Sequence, residues 1–135
     1  MLLDYKNENY KKVIDGFESL DNANLYSINS VVRRIMSDVF NYWRAKSFFA
    51  LENCQNALKE TFRFRAANNH VSGQSIFDAF WPKKSYLKGL AYESLGDRVN
   101  AIESFEDFLR IWPRADDSLP EIVDTKRRLR NLRIN

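Results

Sequence analysis

The sequence predicts an all-α fold, and three observations carry that expectation. Gly and Pro are scarce, at four and three in 135 residues, or about 5 % against a usual share of roughly 12 %. A β-sandwich or barrel needs many Gly- and Pro-rich turns, so this scarcity points to long helices and few connections. Aromatic residues run the other way, at 14 %, with ten Phe, six Tyr and three Trp. Apolar residues recur at three- and four-residue steps, and no stretch carries a strand signal. The length suits one domain able to bury its own core.

The elements follow in order from apolar spacing. Tyr10, Val13, Ile14, Phe17 and Leu20 share one face of a first helix over about 9–20. Asp21-Asn22-Ala23-Asn24 is a polar break. A long second helix over 30–51 carries Val32, Ile35, Met36, Val39, Phe40 and Trp43. The Glu52-Asn53 break leads to a third, over 55–66, with Ala57, Leu58, Phe62 and Phe64. Residues 68–73, around His70 and ending at Gly73, read as a loop. After a turn-like stretch at 76–80, Pro82 suits the first turn of a fourth helix ending at Leu95. Gly96-Asp97 is a stop followed by a cap, and a fifth helix covers 98–111. Trp112-Pro113 ends it. Ser118-Leu119-Pro120-Glu121 has the form of a capping box and opens a sixth helix through Ile122, Leu129 and Leu132.

Catalytic chemistry has little to work with. The single cysteine, Cys54, permits no internal disulfide, and with one histidine, His70, there is no Cys/His metal cluster. Both fit a reducing compartment, so a cytoplasmic location is expected. Residues 1–6 lack the apolar run and cleavage site of a signal peptide, and no membrane span is expected. Gly-rich phosphate loops and the HExxH and GxSxG patterns are absent. The chain therefore reads as a non-enzyme without cofactor or metal. Cys54 reads as a packing residue, His70 as solvated, and Asp116-Asp117 as carboxylates at a helix approach.

An internal repeat changes what the helices mean. Glu8-Asn9, Glu52-Asn53 and Gly96-Asp97 stand 44 residues apart. The same step superposes Val13, Ala57 and Ala101; Ile14, Leu58 and Ile102; and Leu20, Phe64 and Phe108. Upstream of the break it pairs Ala45 with Gly89, and Phe48 with Tyr92. Such recurrence is expected where helical hairpins stack and share one continuous core.

In the third unit, Gly89-x-x-Tyr92, Gly96-Asp97, Ala101-x-x-x-Phe105 and Pro113 resemble the tetratricopeptide repeat. The second unit agrees at Ala45, Phe48 and Ala57, but Thr61 replaces the aromatic. Lys88 stands where the family has Leu, Phe108 replaces a small residue, and the period of 44 exceeds the family's 34. The resemblance implies stacked antiparallel hairpins in a right-handed α-solenoid. The units fall at about 1–24, 25–68 and 75–113, and a capping helix at 118–133. The first unit keeps only its second helix, so the chain is expected to be a segment of a longer protein. Residues 108–129 also resemble the closing repeat of bacterial multidomain signalling proteins.

The resemblance further implies a non-catalytic interaction module that binds a protein or peptide on its concave face. Carried over position by position, the groove takes Val39, Tyr42, Trp43, Lys46, Phe49 and Ala50 from the second unit. From the third it takes Lys83, Tyr86, Leu87, Leu90, Glu93 and Ser94. The partner-binding set is Tyr42, Lys46, Phe49, Lys83, Tyr86, Leu90 and Glu93, with Lys46 and Lys83 expected to stay exposed and to suit an acidic partner. The family's clamp for a terminal carboxylate is only partly present, since Tyr42, Lys46, Lys83 and Leu87 occupy its places. Two alternatives stand beside this reading. The net charge of +3 is mild, but Lys126, Arg127, Arg128, Arg130 and Arg133 crowd the last helix and could meet phosphates of nucleic acid or an anionic surface. A capping helix with its arginines in water is the favoured account of them. The other alternative is self-association into a homo-oligomer.

Overall fold

A computed structural model describes residues 2–22, 30–63, 77–111 and 118–134. Among them are seven helices and no strand: α1 (Leu2–Lys6), α2 (Tyr10–Asn22), α3 (Ser30–Ala50), α4 (Cys54–Arg63), α5 (Phe77–Ser94), α6 (Arg98–Ile111) and α7 (Pro120–Ile134). The 68–73 loop, His70, Phe64, Trp112 and Pro113 lie outside the described residues. No helix among those described is long and apolar enough to cross a membrane.

Three of the connections share one geometry. Glu8, Glu52 and Gly96 all have positive φ, at 61°, 58° and 78°. In each turn two amides reach back to the last carbonyls of the preceding helix. Glu8 N donates to Tyr5 O and Asn9 N to Asp4 O; Glu52 N to Phe49 O and Asn53 N to Phe48 O; Gly96 N to Glu93 O and Asp97 N to Tyr92 O. This pair of bonds satisfies carbonyls that a helix end leaves open. Asn9, Asn53 and Asp97 then begin the next helices, their carbonyls accepting from Val13, Ala57 and Ala101. Asn53 Oδ1 and Asp97 Oδ1 also take the amides of Asn56 and Asn100, each at 3.2 Å, as helix caps do. The 44-residue step read from the sequence is thus a repeat of backbone conformation.

Burial follows the same step. Val13, Ala57 and Ala101 are buried, as are Phe17, Thr61 and Phe105, and so are Ala45 and Gly89. A Cβ added to Gly89 would lie 2.5 Å from two ring carbons of Phe105, so α5 and α6 cross where only a hydrogen fits. Thr61, which stands where its repeats have Phe, is accommodated by donating its hydroxyl to Leu58 O at 2.6 Å.

Each helix packs against the next in the chain, and α3 also packs against α5. Tyr5 of α1 meets Trp43 of α3 edge to face, and Tyr86 of α5 donates to Asp124 of α7 at 2.8 Å. The odd-numbered helices therefore meet in sequence, while α2, α4 and α6 each bridge the two that flank them. One apolar cluster gathers Val13, Phe17 and Phe40, and a larger one Tyr42, Ala45, Leu87, Leu90, Ala101, Phe105 and Leu129; Trp43 packs against both. Between α3 and α4 lies a buried polar group absent from the sequence reading. Arg44 Nε donates to Glu60 at 3.0 Å and Nη2 to Asn41 at 2.8 Å.

Three expectations need correction. The first unit does not keep only its second helix, because α1 precedes it. Five residues cannot hold a helix alone, and here the Glu8 turn and the packing of Tyr5 on Tyr10 and Trp43 hold it. The fourth helix starts at Phe77 rather than near Pro82, which sits inside α5. Pro82 is the sixth residue of α5, past the first amides that have no partner in any helix, so one intrahelical bond to the fourth residue back is forgone. The last helix starts at Pro120 rather than at Ser118. Ile122 N and Val123 N both donate to Leu119 O, which makes Leu119 the cap residue and Pro120 the first helical position.

Candidate functional site

The odd-numbered helices enclose a cleft of about 300 Å³. Tyr42, Lys46, Phe49 and Ala50 line it from α3; Lys83, Tyr86, Leu87 and Leu90 from α5; Tyr5 from α1 and Glu121 from α7. On each helix these residues follow three- and four-residue steps, so one face of α3 and one of α5 turn toward the same space. Six of the seven residues assigned to partner binding line this cleft. The seventh, Glu93, does not, because it accepts an ion pair from Arg128 of α7.

The floor is apolar and closed. Tyr42, Leu87 and Leu90 are buried, and their packing joins α3 to α5. Tyr42 and Tyr86 are thus part of the core as well as of the cleft wall. Burial, then Glu121 and Tyr5, push the Tyr42 phenol up to about 12. Burial and the bond to Asp124 likewise raise that of Tyr86. Neither ring ionises near neutral pH, so the charge in the cleft comes from Lys46, Lys83 and Glu121.

Lys46 is not the exposed lysine expected of it. It is half-buried, with its Nζ over the rings of Tyr5, Trp43 and Tyr42 at 5.1, 5.3 and 5.6 Å from their centroids, within the range where an aromatic face attracts a cation. Burial, and then the Lys83 charge, pull its pKa down, while Glu121 works against them. Lys83 Nζ lies 3.2 Å from Glu121 Oε1. Burial pushes the Glu121 carboxyl up, but a backbone hydrogen bond and the two ammonium groups outweigh it and hold it below the usual range.

Helix α7 is tied to α5 through polar groups. Asp124 accepts from Tyr86, from Arg127 and, at 2.6 Å, from Arg128 Nε. Burial would raise this carboxyl, yet the three donors bring it down to about 2. Arg128 also pairs with Glu93, and Arg133 with Glu106 of α6. Three of the five basic residues of α7 are thereby bound to carboxylates. A second, more open groove between α6 and α7 is lined by Leu109, Leu129, Glu106, Lys126, Arg130 and Arg133.

Two residues of the cleft were missed by sequence reasoning. Tyr5 stands one 44-residue step before Phe49, so carrying the repeat into the first unit would have found it. Glu121 carried no such signal, because its place in a capping-box pattern assigned its carboxylate to the helix start. Among the described residues, no group of three or more His, Cys, Asp or Glu is placed to hold a metal ion. Comparison with protein-family models, with curated proteins and with solved structures finds no match.

Proposed function

We propose that the chain is a tetratricopeptide-like interaction module, a right-handed stack of antiparallel hairpins that binds a peptide segment of a partner protein in the cleft between α3 and α5. One observation carries the reading. The positions at which such arrays bind peptides are those that line the cleft, with Tyr42, Lys46 and Phe49 on one wall and Lys83, Tyr86 and Leu90 on the other. The three left-handed turns at 44-residue steps support the repeat that the reading assumes. Apolar walls with a few convergent polar groups are what a ligand cleft needs. The basic face of α7 is the weaker candidate, since Arg127, Arg128 and Arg133 already hold carboxylates.

A photoreactive phenylalanine analogue placed at Phe49 in cells tests the reading, with Val99 of α6, 76 % exposed, as the outer-face control. The Phe49 probe should capture a discrete partner that the Val99 probe does not. Lys46→Glu with Lys83→Glu should reduce that capture about tenfold or more, as expected when central contacts are reversed in charge. Equal capture from both positions, or capture indifferent to the lysines, would sink the proposal.

A further inference from the structure

The charge within the cleft is unbalanced. Two ammonium groups, Lys46 and Lys83, face one carboxylate, Glu121, among the described residues. Lys83 is paired with Glu121. Lys46 makes no ion pair with any described residue and rests against three rings instead. A half-buried ammonium held this way still favours an anion.

We infer that the partner sets a glutamate or aspartate side chain between Lys46 and Lys83, and that Glu121 is a built-in competitor for that place. The inference rests on the interaction reading above and names the chemistry of its ligand. The anion already in the cleft is a side-chain carboxylate delivered from the first turn of a helix, which is the chemistry the site accepts. Phe49, Leu87 and Leu90 lie beside the lysines and suit an apolar residue next to the acid.

Release of Glu121 does not require α7 to leave. The Lys83 and Glu121 side chains are 30 % and 27 % exposed, so the pair is only partly desolvated and its separation is cheap. Meanwhile Ile122 and Leu129 stay buried, and Arg128 and Arg133 keep α7 tied to Glu93 and Glu106. Rotation of one side chain exchanges the internal acid for an external one.

Fluorescence anisotropy on the full chain tests this with a labelled peptide of sequence Gly-Leu-Glu-Glu-Phe-Leu-Gly, acetylated and amidated. Its counterpart with Gln in place of Glu, made with and without a free C-terminal carboxylate, completes the probe set. Glu121→Gln should bind the Glu peptide about two- to fivefold more tightly than the native chain, an exposed pair's worth of interaction. The gain should vanish when Lys83→Met is added, and the amidated Gln peptide should bind weakly throughout. Far-ultraviolet circular dichroism checks that each variant keeps its helix content, and Glu121→Ala gives a second route to the same release. Unchanged or weaker binding by both Glu121 variants overturns the competitor role. Preference for the Gln peptide with a free C-terminus assigns the site to a chain end and overturns the side-chain assignment. If no variant binds the Glu peptide while the Phe49 probe still captures a partner, this inference falls and the interaction reading stands. If capture also fails, both fall.

Discussion

A side chain in the left-handed region crowds the following carbonyl and costs about 1 kcal/mol relative to glycine. Glu8 and Glu52 bear that cost while Gly96 does not, although the three turns have the same hydrogen bonds. At Gly96 an added Cβ would meet nothing within 4 Å, so backbone strain alone separates glycine from alanine there. Glu52→Gly should therefore raise unfolding free energy by about 1 kcal/mol, and Gly96→Ala should lower it by about the same amount. Urea denaturation measures both; a loss of stability in Glu52→Gly would show that the glutamate side chain contributes something beyond the turn. Asp124 makes a second prediction at this scale. Its carboxyl falls from an ordinary 3.8 to about 2 in the folded chain. A depressed carboxyl adds stability that is complete above its unfolded value and is lost as pH falls through the folded one. The contribution should be intact at pH 6 and disappear between about pH 5 and pH 2, amounting to about 1–2 kcal/mol after allowance for partial solvent screening. Asp124→Asn should lose it at neutral pH and show a flatter stability profile across that window. A parallel downward shift of the whole profile would instead mean that the carboxylate's charge is immaterial.

Between elements, the contact that sets the geometry is the crossing of α5 and α6. Phe105 is fully buried and its ring is a rigid neighbour of Gly89, so a methyl there cannot be absorbed by a flexible chain end. Gly89→Ala should cost about 1–3 kcal/mol through overpacking, and Phe105→Leu in the same chain should recover part of it. Thermal unfolding of the single and double variants measures this; additive losses would mean that the two sites do not share the strain. The places of both residues were legible in the sequence, because the 44-residue step paired Gly89 with Ala45 and Phe105 closes the Ala101-x-x-x-Phe105 pattern. The breaks at Glu8, Glu52 and Gly96 were legible for the same reason, as was much of the cleft, whose residues hold fixed places in the repeat. What stayed hidden depends on tertiary contacts. Helix α1 is too short to declare itself without Trp43 to pack on. The start of α5 ahead of Pro82 runs against the local preference of proline for the first helical position. The ion pair of Arg44 with Glu60 links residues that apolar spacing ignores, and the turn of Glu121 toward Lys83 depends on where α7 docks.

For the whole molecule, the packing runs between neighbours along the chain and between α3 and α5, so stability should be distributed as in a one-dimensional stack. The residue that follows Ala45 and Gly89 by a further 44-residue step is Arg133, which pairs with Glu106. The two apolar clusters, one drawn from α2 and α3 and the other from α3, α5, α6 and α7, meet through Trp43. Phe17→Ala should remove about 3–5 kcal/mol from the cluster formed by α2 and α3. In hydrogen exchange, protection should then fall most in α2 and the neighbouring part of α3, while α6 keeps most of its own. Phe105→Ala should do the reverse, exposing α5, α6 and α7 and sparing α2. Equal loss across all helices in both variants would show one cooperative unit instead of a stack of local interfaces. A graded response would mean that opening at the α1 end can proceed without dissolving the α5 wall of the cleft.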